Sequence, residues 1–222
     1  YNTYGAGIKL QMVEGGVNSI PILFLIIFLI GLILAMQSAY QLQKFGVTSL
    51  VASLVGVTIT REVGPLIAAI IISARVGAAI TAELGTMVVS EEIMALETMA
   101  VRPVPFLVVP RFIALMVMLP CLTILADIVG ILGGFCVGVG NLEISAGAYI
   151  NNTIEGLANQ DIITGLIKSV GFAAVIAIVA CHEGLSVRGG PEGVGTATTR
   201  SVVMAILLII LTDLMFTIIF YL

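Results

Sequence analysis

Charge is scarce in this sequence. Only 10% of its 222 residues are charged and 59% are hydrophobic, whereas a soluble domain carries roughly 25% charged residues. A soluble chain this poor in charge would expose large apolar patches and aggregate, which argues against a soluble enzyme. Basic excess is missing too. Nine Lys and Arg stand against thirteen Asp and Glu, so there is no cationic field for nucleic acid. The chain has a single histidine. His182–Glu183 therefore cannot begin an H-E-x-x-H zinc site, which needs a second His four residues on. The Gly-rich run 188–195 lacks the Lys-Ser/Thr of a phosphate-binding loop and reads as a flexible loop. No such motif occurs elsewhere, so any ATP that drives this protein binds a separate subunit. Cys121, Cys136 and Cys181 show no paired spacing and read as reduced packing residues. Strict alternation, the mark of a membrane barrel strand, is also absent.

What remains is long, continuous apolar segments, as at 22–35 and 202–211. A spanning helix needs about 20 such residues. The expected fold is an all-α integral membrane protein forming one domain over 1–222. An interfacial helix over 1–18 precedes five spans, at 19–43, 47–74, 106–140, 162–182 and 199–222. The apolar run Ile20–Met36 is longer than a typical signal-peptide core, and the stretch before it holds Glu14 and only one basic residue, Lys9. The chain begins at Tyr1 rather than Met, so an N-terminal piece is expected to be missing or processed. The third span is long enough to tilt or to break at Pro120, and it ends on the small-xxx-small series Gly130, Gly134 and Gly138. Residues 141–160 read as a polar connection. Five spans put Lys9, Arg75, Arg102, Arg111, Arg188 and Arg200 on one side and Lys44 on the other, which makes the first side cytoplasmic. Glu143, Glu155 and Asp161 then lie on the other side.

Several charges interrupt the apolar runs. Arg61 and Glu62 sit mid-span, just before the breaker Gly64–Pro65. A charge near the bilayer centre costs at least about 2.5–3.5 kcal/mol, so these residues face either an internal ion network or a substrate path. Lys168 either snorkels to the interface or serves as an anion site or a partner for Glu62. Asp127 and Asp213 belong to the same class. A network of Arg61, Glu62, Lys168 and Asp213 would need no outside ligand. The stretch 83–100 carries Glu83, Glu91, Glu92 and Glu97, too polar to span. Ser90 is placed to cap a short helix, with Ile93, Leu96 and Ala100 on one face. It either rests on lipid headgroups or docks a protein. Its acidity favours docking, because anionic leaflets repel acid.

Three runs carry a family resemblance: Thr60–Arg61–Glu62–Val63–Gly64–Pro65, Ala74–Arg75–Val76–Gly77–Ala78–Ala79 and Thr81–Ala82–Glu83–Leu84–Gly85–Thr86–Met87. With Ser90–Glu91–Glu92–Ile93–Met94–Ala95–Leu96, Pro110–Arg111–Phe112, Leu166–Ile167–Lys168–Ser169 and Thr198–Thr199–Arg200–Ser201, they resemble the MlaE family of ABC-transporter permeases. The resemblance extends from about residue 17 to 220. Glu92, Met94 and Arg102 depart from the family's usual residues and alter charge on the docking face.

The resemblance implies a homodimeric permease subunit that moves phospholipid or a related lipid between membranes, with no cofactor of its own and no catalytic residue. Residues 83–100 would be the coupling helix, with Glu83, Ser90, Glu91, Glu92, Ile93, Leu96, Glu97 and Arg102 meeting a cytoplasmic ATPase that binds ATP. An MCE-domain protein would meet the opposite face. Leu34, Leu42, Phe45, Arg61, Glu62 and Lys168 would line or gate the lipid pocket. The bacterial inner membrane is the expected location, with the chloroplast inner envelope as the alternative. A scaffolding membrane subunit without a transport path is the competing reading, and a membrane-embedded enzyme using Asp127 or Asp213 lacks a nucleophile–base pair.

Overall fold

The computed structural model describes residues 16–142 and 144–221. Among them there is no strand. Five helical stretches are long and apolar enough to cross a membrane: Val17–Gln43, Thr48–Val89, Val104–Gly140, Asn159–Leu185 and Gly190–Phe220. The chain is a multi-pass membrane protein. Of the interfacial helix expected over 1–18, only 16–18 are described, with Val17–Ser19 forming one 3-10 turn. Lys9 and Glu143 lie outside the described residues.

We label the helices α1 (Ile20–Gln43), α2 (Val51–Thr58), α3 (Gly64–Ile72), α4 (Ala78–Val89), α5 (Glu92–Thr98), α6 (Val109–Gly140), α7 (Ala146–Gly156), α8 (Asn159–Leu185) and α9 (Gly190–Tyr221). The second stretch differs from expectation. It does not end at 74 but runs through α2, α3 and α4 to Val89, joined by wide π turns at Ile59–Val63 and Ser73–Gly77. The first π turn has a clear cause. Pro65 has no N–H for the carbonyl of Arg61, and its ring would collide with that carbonyl. The chain widens instead, and the Gly64 N–H donates to the Ile59 carbonyl, five residues back. Pro110 follows a third π turn, Val104–Val108, in the same way. Pro120 does not break α6, which is continuous to Gly140.

Two further expectations are corrected. The polar connection contains α7, capped by the Ser145 hydroxyl accepting from the Ala148 N–H. Asn152 donates to the Ser49 carbonyl and Thr153 to the Tyr149 carbonyl of its own helix. The Gly-rich loop is short. Only Gly189 and Gly190 take left-handed φ, +90° and +74°, and α9 then winds through Gly193 and Gly195.

The chain forms two compact units. One comprises 20–68 and 120–169. Its core is built by Ala35, Ala39, Val51, Val55, Ile59 and Val137, with Leu34 and Leu42 packed against it. The Gly130/Gly134/Gly138 series serves this packing. Gly130 lies against Gly31, and Gly134 and Gly138 leave room for the Tyr149 ring. α7 packs along α2, where the Ser53 hydroxyl donates to the Asn152 carbonyl (2.6 Å) and the Asn152 amide to Ser49 (3.1 Å). Burial pushes the Tyr149 phenol up to about 12.

The other unit comprises 16–19, 69–119 and 170–221. Here α4 packs on α8 and α9. The Thr81 hydroxyl lies 2.8 Å from that of Ser201 and donates to the Ala180 carbonyl. Glu83 stands apart from α5. It sits in α4 and pairs with buried Arg111 at 2.8 Å. Of the three free cysteines only Cys181 is buried, so only it fills a core; Cys121 and Cys136 lie on the surface.

Candidate functional site

The π turn at Ile59–Val63 builds the site. It places Arg61 and Glu62 side by side in an otherwise apolar helix. Across from it, α8 presents Asp161, Gly165 and Lys168 on one face, since residues separated by three, four or seven share a face. A Cβ on Gly165 would strike the Thr60 carbonyl, so glycine lets α8 approach the π turn closely. The charges on either side of Gly165 then find partners. Lys168 Nζ lies 2.6 Å from Glu62 Oε2, and Arg61 Nε lies 2.5 Å from Asp161 Oδ1.

Each pair has a hidden member and a half-exposed one. The Lys168 side chain is 0% exposed and that of Glu62 34%. The Asp161 side chain is 3% exposed and that of Arg61 37%. A lone buried ion costs several kcal/mol in lost hydration, and a close, well-aligned partner offsets that cost. Asp161 has a second task, since its Oδ2 accepts the Ala158 N–H at 3.0 Å and caps the start of α8. What remains accessible is therefore a guanidinium beside a carboxylate, each backed by a buried opposite charge.

The other expected residues lie elsewhere. Lys168 does not snorkel to an interface. It is wholly buried and held by Glu62. Asp127, on α6, is half-buried and turns Oδ1 toward Gly64, whose missing Cβ leaves the room it occupies. That oxygen has no hydrogen-bond partner among the described residues. Asp213 is half-buried on α9, in the unit that does not contain the two pairs. Leu34 and Leu42 are half-buried on α1, and Phe45 is 77% exposed in the turn after it. Asp161 is the residue that sequence reading missed as a partner. Its signal was its position two helical turns before Lys168.

The expected coupling segment has a definite form. Ser90 does not cap α5. Its hydroxyl bonds back to the Thr86 carbonyl (3.0 Å), closing α4, and also lies 3.0 Å from Glu92 Oε1. Glu91 takes the capping position in a left-handed conformation, φ 61°, and Ala100 leaves α5 at φ 59°. No residue of α5 is buried. Ile93 and Leu96 are half-buried; Glu91, Glu92, Glu97 and Arg102 are exposed. Beside α5 runs a groove lined by Val88, Ile93, Met94, Val104 and Leu185.

Sequence comparison decides the family. The family model described as Permease MlaE matches residues 8–219. The chain belongs to the MlaE permease family. A Rickettsia prowazekii protein named "Probable ABC transporter permease protein" is 38% identical over 211 residues, 95% of this chain and 82% of that protein. The intermembrane phospholipid transport system permease protein MlaE of Haemophilus influenzae is 35% identical over 214 residues, covering 95% and 81%. The chloroplastic protein TRIGALACTOSYLDIACYLGLYCEROL 1 of Arabidopsis thaliana is 30% identical over 211 residues, covering 95% and 60%. This MlaE-family chain is thus a transmembrane permease.

Proposed function

We propose that this permease moves phospholipid or a related lipid between membranes as the membrane subunit of an ABC transporter. A separate ATPase subunit supplies the energy. The observation that carries this reading is the paired-charge site. Two ion pairs lie inside apolar helices, and each keeps one charge half-exposed, in a chain similar to a permease named for intermembrane phospholipid transport. Structural glue alone needs no exposed charge. A lipid headgroup needs a few polar groups beside an apolar wall. Arg61 is the accessible cation and suits a phosphate. Glu62 would repel phosphate, and it orients a headgroup base or reports the conformational state. Lys168 and Asp161 position these two from behind. Leu34, Leu42 and Phe45 face the acyl chains, Asp127 and Asp213 tune the helices around them, and no cofactor enters.

In this reading the working unit is a homodimer. α5, with Glu91, Glu92, Ile93, Leu96, Glu97 and Arg102, seats in the ATPase, and an MCE-domain protein meets the opposite side. The bacterial inner membrane is the proposed location. The chloroplast inner envelope remains the alternative on the Arabidopsis likeness.

The test is transfer of fluorescent phospholipid between donor and acceptor membranes by the assembled transporter. The double variant Glu62→Gln/Lys168→Met removes both charges of one pair together. Such replacement by uncharged residues is often neutral for stability. A folded double variant that has lost transfer supports the reading. Wild-type transfer by that variant makes the pair internal glue and favours a scaffolding subunit.

A further inference from the structure

A second, separate charged region lies where α8 turns into α9. A cleft of about 300 Å³ there is lined by His182, Glu183, Ser186, Arg188, Thr196 and Arg200. Glu183 is the one acid in this lining, and it is already engaged. Its side chain is 9% exposed, and its Oε1 holds Arg200 Nε at 3.3 Å. That contact uses the inner edge of the guanidinium. The rest of the Arg200 side chain, 71% exposed, keeps its terminal nitrogens for a ligand, aimed by the carboxylate below. Arg188 is exposed on the same cleft. Two guanidinium groups against one paired carboxylate make a cationic mouth, and a guanidinium suits a phosphate best.

The cleft does not end at its polar wall. Thr196 and Arg200 also line an adjoining groove of about 540 Å³, whose other walls are Gly195, Thr199, Val203 and Met204. A polar, cationic cleft thus opens into an apolar groove across shared residues. That is the outline of an amphiphile. The length of α9 sets the depth. It has 32 residues, and a bilayer core needs about 20. Its polar first turns, 190–200, therefore stand at headgroup level, and Val203 and Met204 enter the acyl region. Arg102 follows the second crossing and Arg188 the fourth, so the two lie on one side of the membrane. Such a basic set marks the cytoplasmic side, whose leaflet carries the anionic lipids.

We propose that this cleft and groove bind one anionic phospholipid of the cytoplasmic leaflet. Its phosphate lies between Arg188 and Arg200, and an acyl chain runs along Thr199, Val203 and Met204. The site is distinct from the Arg61/Glu62 pair and would hold lipid whether or not those residues carry transport.

The experiment is native mass spectrometry of the full chain in mild detergent, titrated with three probes. Dioleoylphosphatidylglycerol has both phosphate and tails, dioleoylglycerol has tails alone, and glycerol 3-phosphate has phosphate alone. Phosphatidylglycerol is expected to bind well above both partial probes. Arg188→Gln leaves the Glu183–Arg200 pair intact, and it should weaken one bound copy about tenfold, as expected for losing one charge-assisted contact. Val203→Asp should do the same from the groove side. Glu62→Gln/Lys168→Met should leave this copy unchanged. The site is overturned if Arg188→Gln binds phosphatidylglycerol as wild type does. Equal binding of dioleoylglycerol would make it an unselective apolar groove. Binding of glycerol 3-phosphate as tight as the lipid would make it a soluble-phosphate site.

Discussion

Lys168 and Glu62 are unequal partners, and that inequality can be measured. Lys168 is wholly buried, and Glu62 keeps a third of its side chain exposed. Glu62→Gln removes the carboxylate charge that faces a wholly buried cation, so it should cost about 3–5 kcal/mol, the usual penalty for breaking a buried pair. Lys168→Met strands only a carboxylate that can still be hydrated. Thermal unfolding in detergent should therefore rank Glu62→Gln well below Lys168→Met. Equal melting temperatures would mean that the burial difference has no energetic weight. Gly64 offers a second test at this scale. A Cβ there would meet Asp127 Oδ1 and crowd the Ile59 carbonyl. Gly64→Ala should destabilise by about 1–3 kcal/mol, as overpacking does, and Asp127→Ala should restore part of the loss. The mid-span charges were legible as exceptional from their cost in lipid. Lys168 was among the expected partners of Glu62, but Asp161 was not expected for Arg61, because the two lie 100 residues apart and meet only when α8 packs on the π turn.

Among the elements, α5 is the clearest case of a helix held off the body. It is seven residues long, has no buried residue, and is bounded by Glu91 and Ala100 in left-handed conformations. Each such conformation costs a non-glycine residue about 1 kcal/mol. Glu91→Gly and Ala100→Gly should each raise stability by about that amount, read as a higher melting temperature. An unchanged or lower value would show that these turns are not strained. Reversing charge at Glu92 and Glu97 should instead leave melting unchanged, because both are exposed. It should uncouple ATP hydrolysis from lipid transfer, and retained coupling would overturn the docking assignment. The acidic face and its short helix were readable from periodicity and charge. The cap was not, since Ser90 turns back to Thr86 rather than forward. α7 was missed for a related reason. Its Asn and Thr residues look like a polar loop until the chain at Ser49 and Ser53 is beside Asn152 to share its hydrogen bonds, with Thr153 donating back to the Tyr149 carbonyl of its own helix.

At the scale of the whole molecule, the five helices among the described residues that are able to cross a membrane make a topological claim. Lys44 follows the first crossing and Arg102 the second, so they should lie on opposite sides. In a background with Cys121, Cys136 and Cys181 replaced by alanine, Lys44→Cys and Arg102→Cys should be labelled by an impermeant thiol reagent from opposite faces of sealed vesicles. Labelling from one face would break the five-span count.

Composition and run length settled the class of this protein, because a soluble domain carries roughly 25% charged residues against 10% here, and a barrel strand alternates where these runs are continuous. They also gave five candidate crossings, since each needs about 20 apolar residues and that length can be counted. The residue runs around Arg61, Arg75 and Glu83 pointed to the family. Folding in three dimensions assigned the partners. Which acid takes Arg61, whether Lys168 meets water or Glu62, and where Glu83 belongs all depend on which helices approach closely. That approach rests on features silent in a periodic pattern: a proline that widens one turn, and a glycine at 165 that brings two backbones together. Hydrophobic periodicity reports which face of a helix is buried, but carries no record of what lies against it.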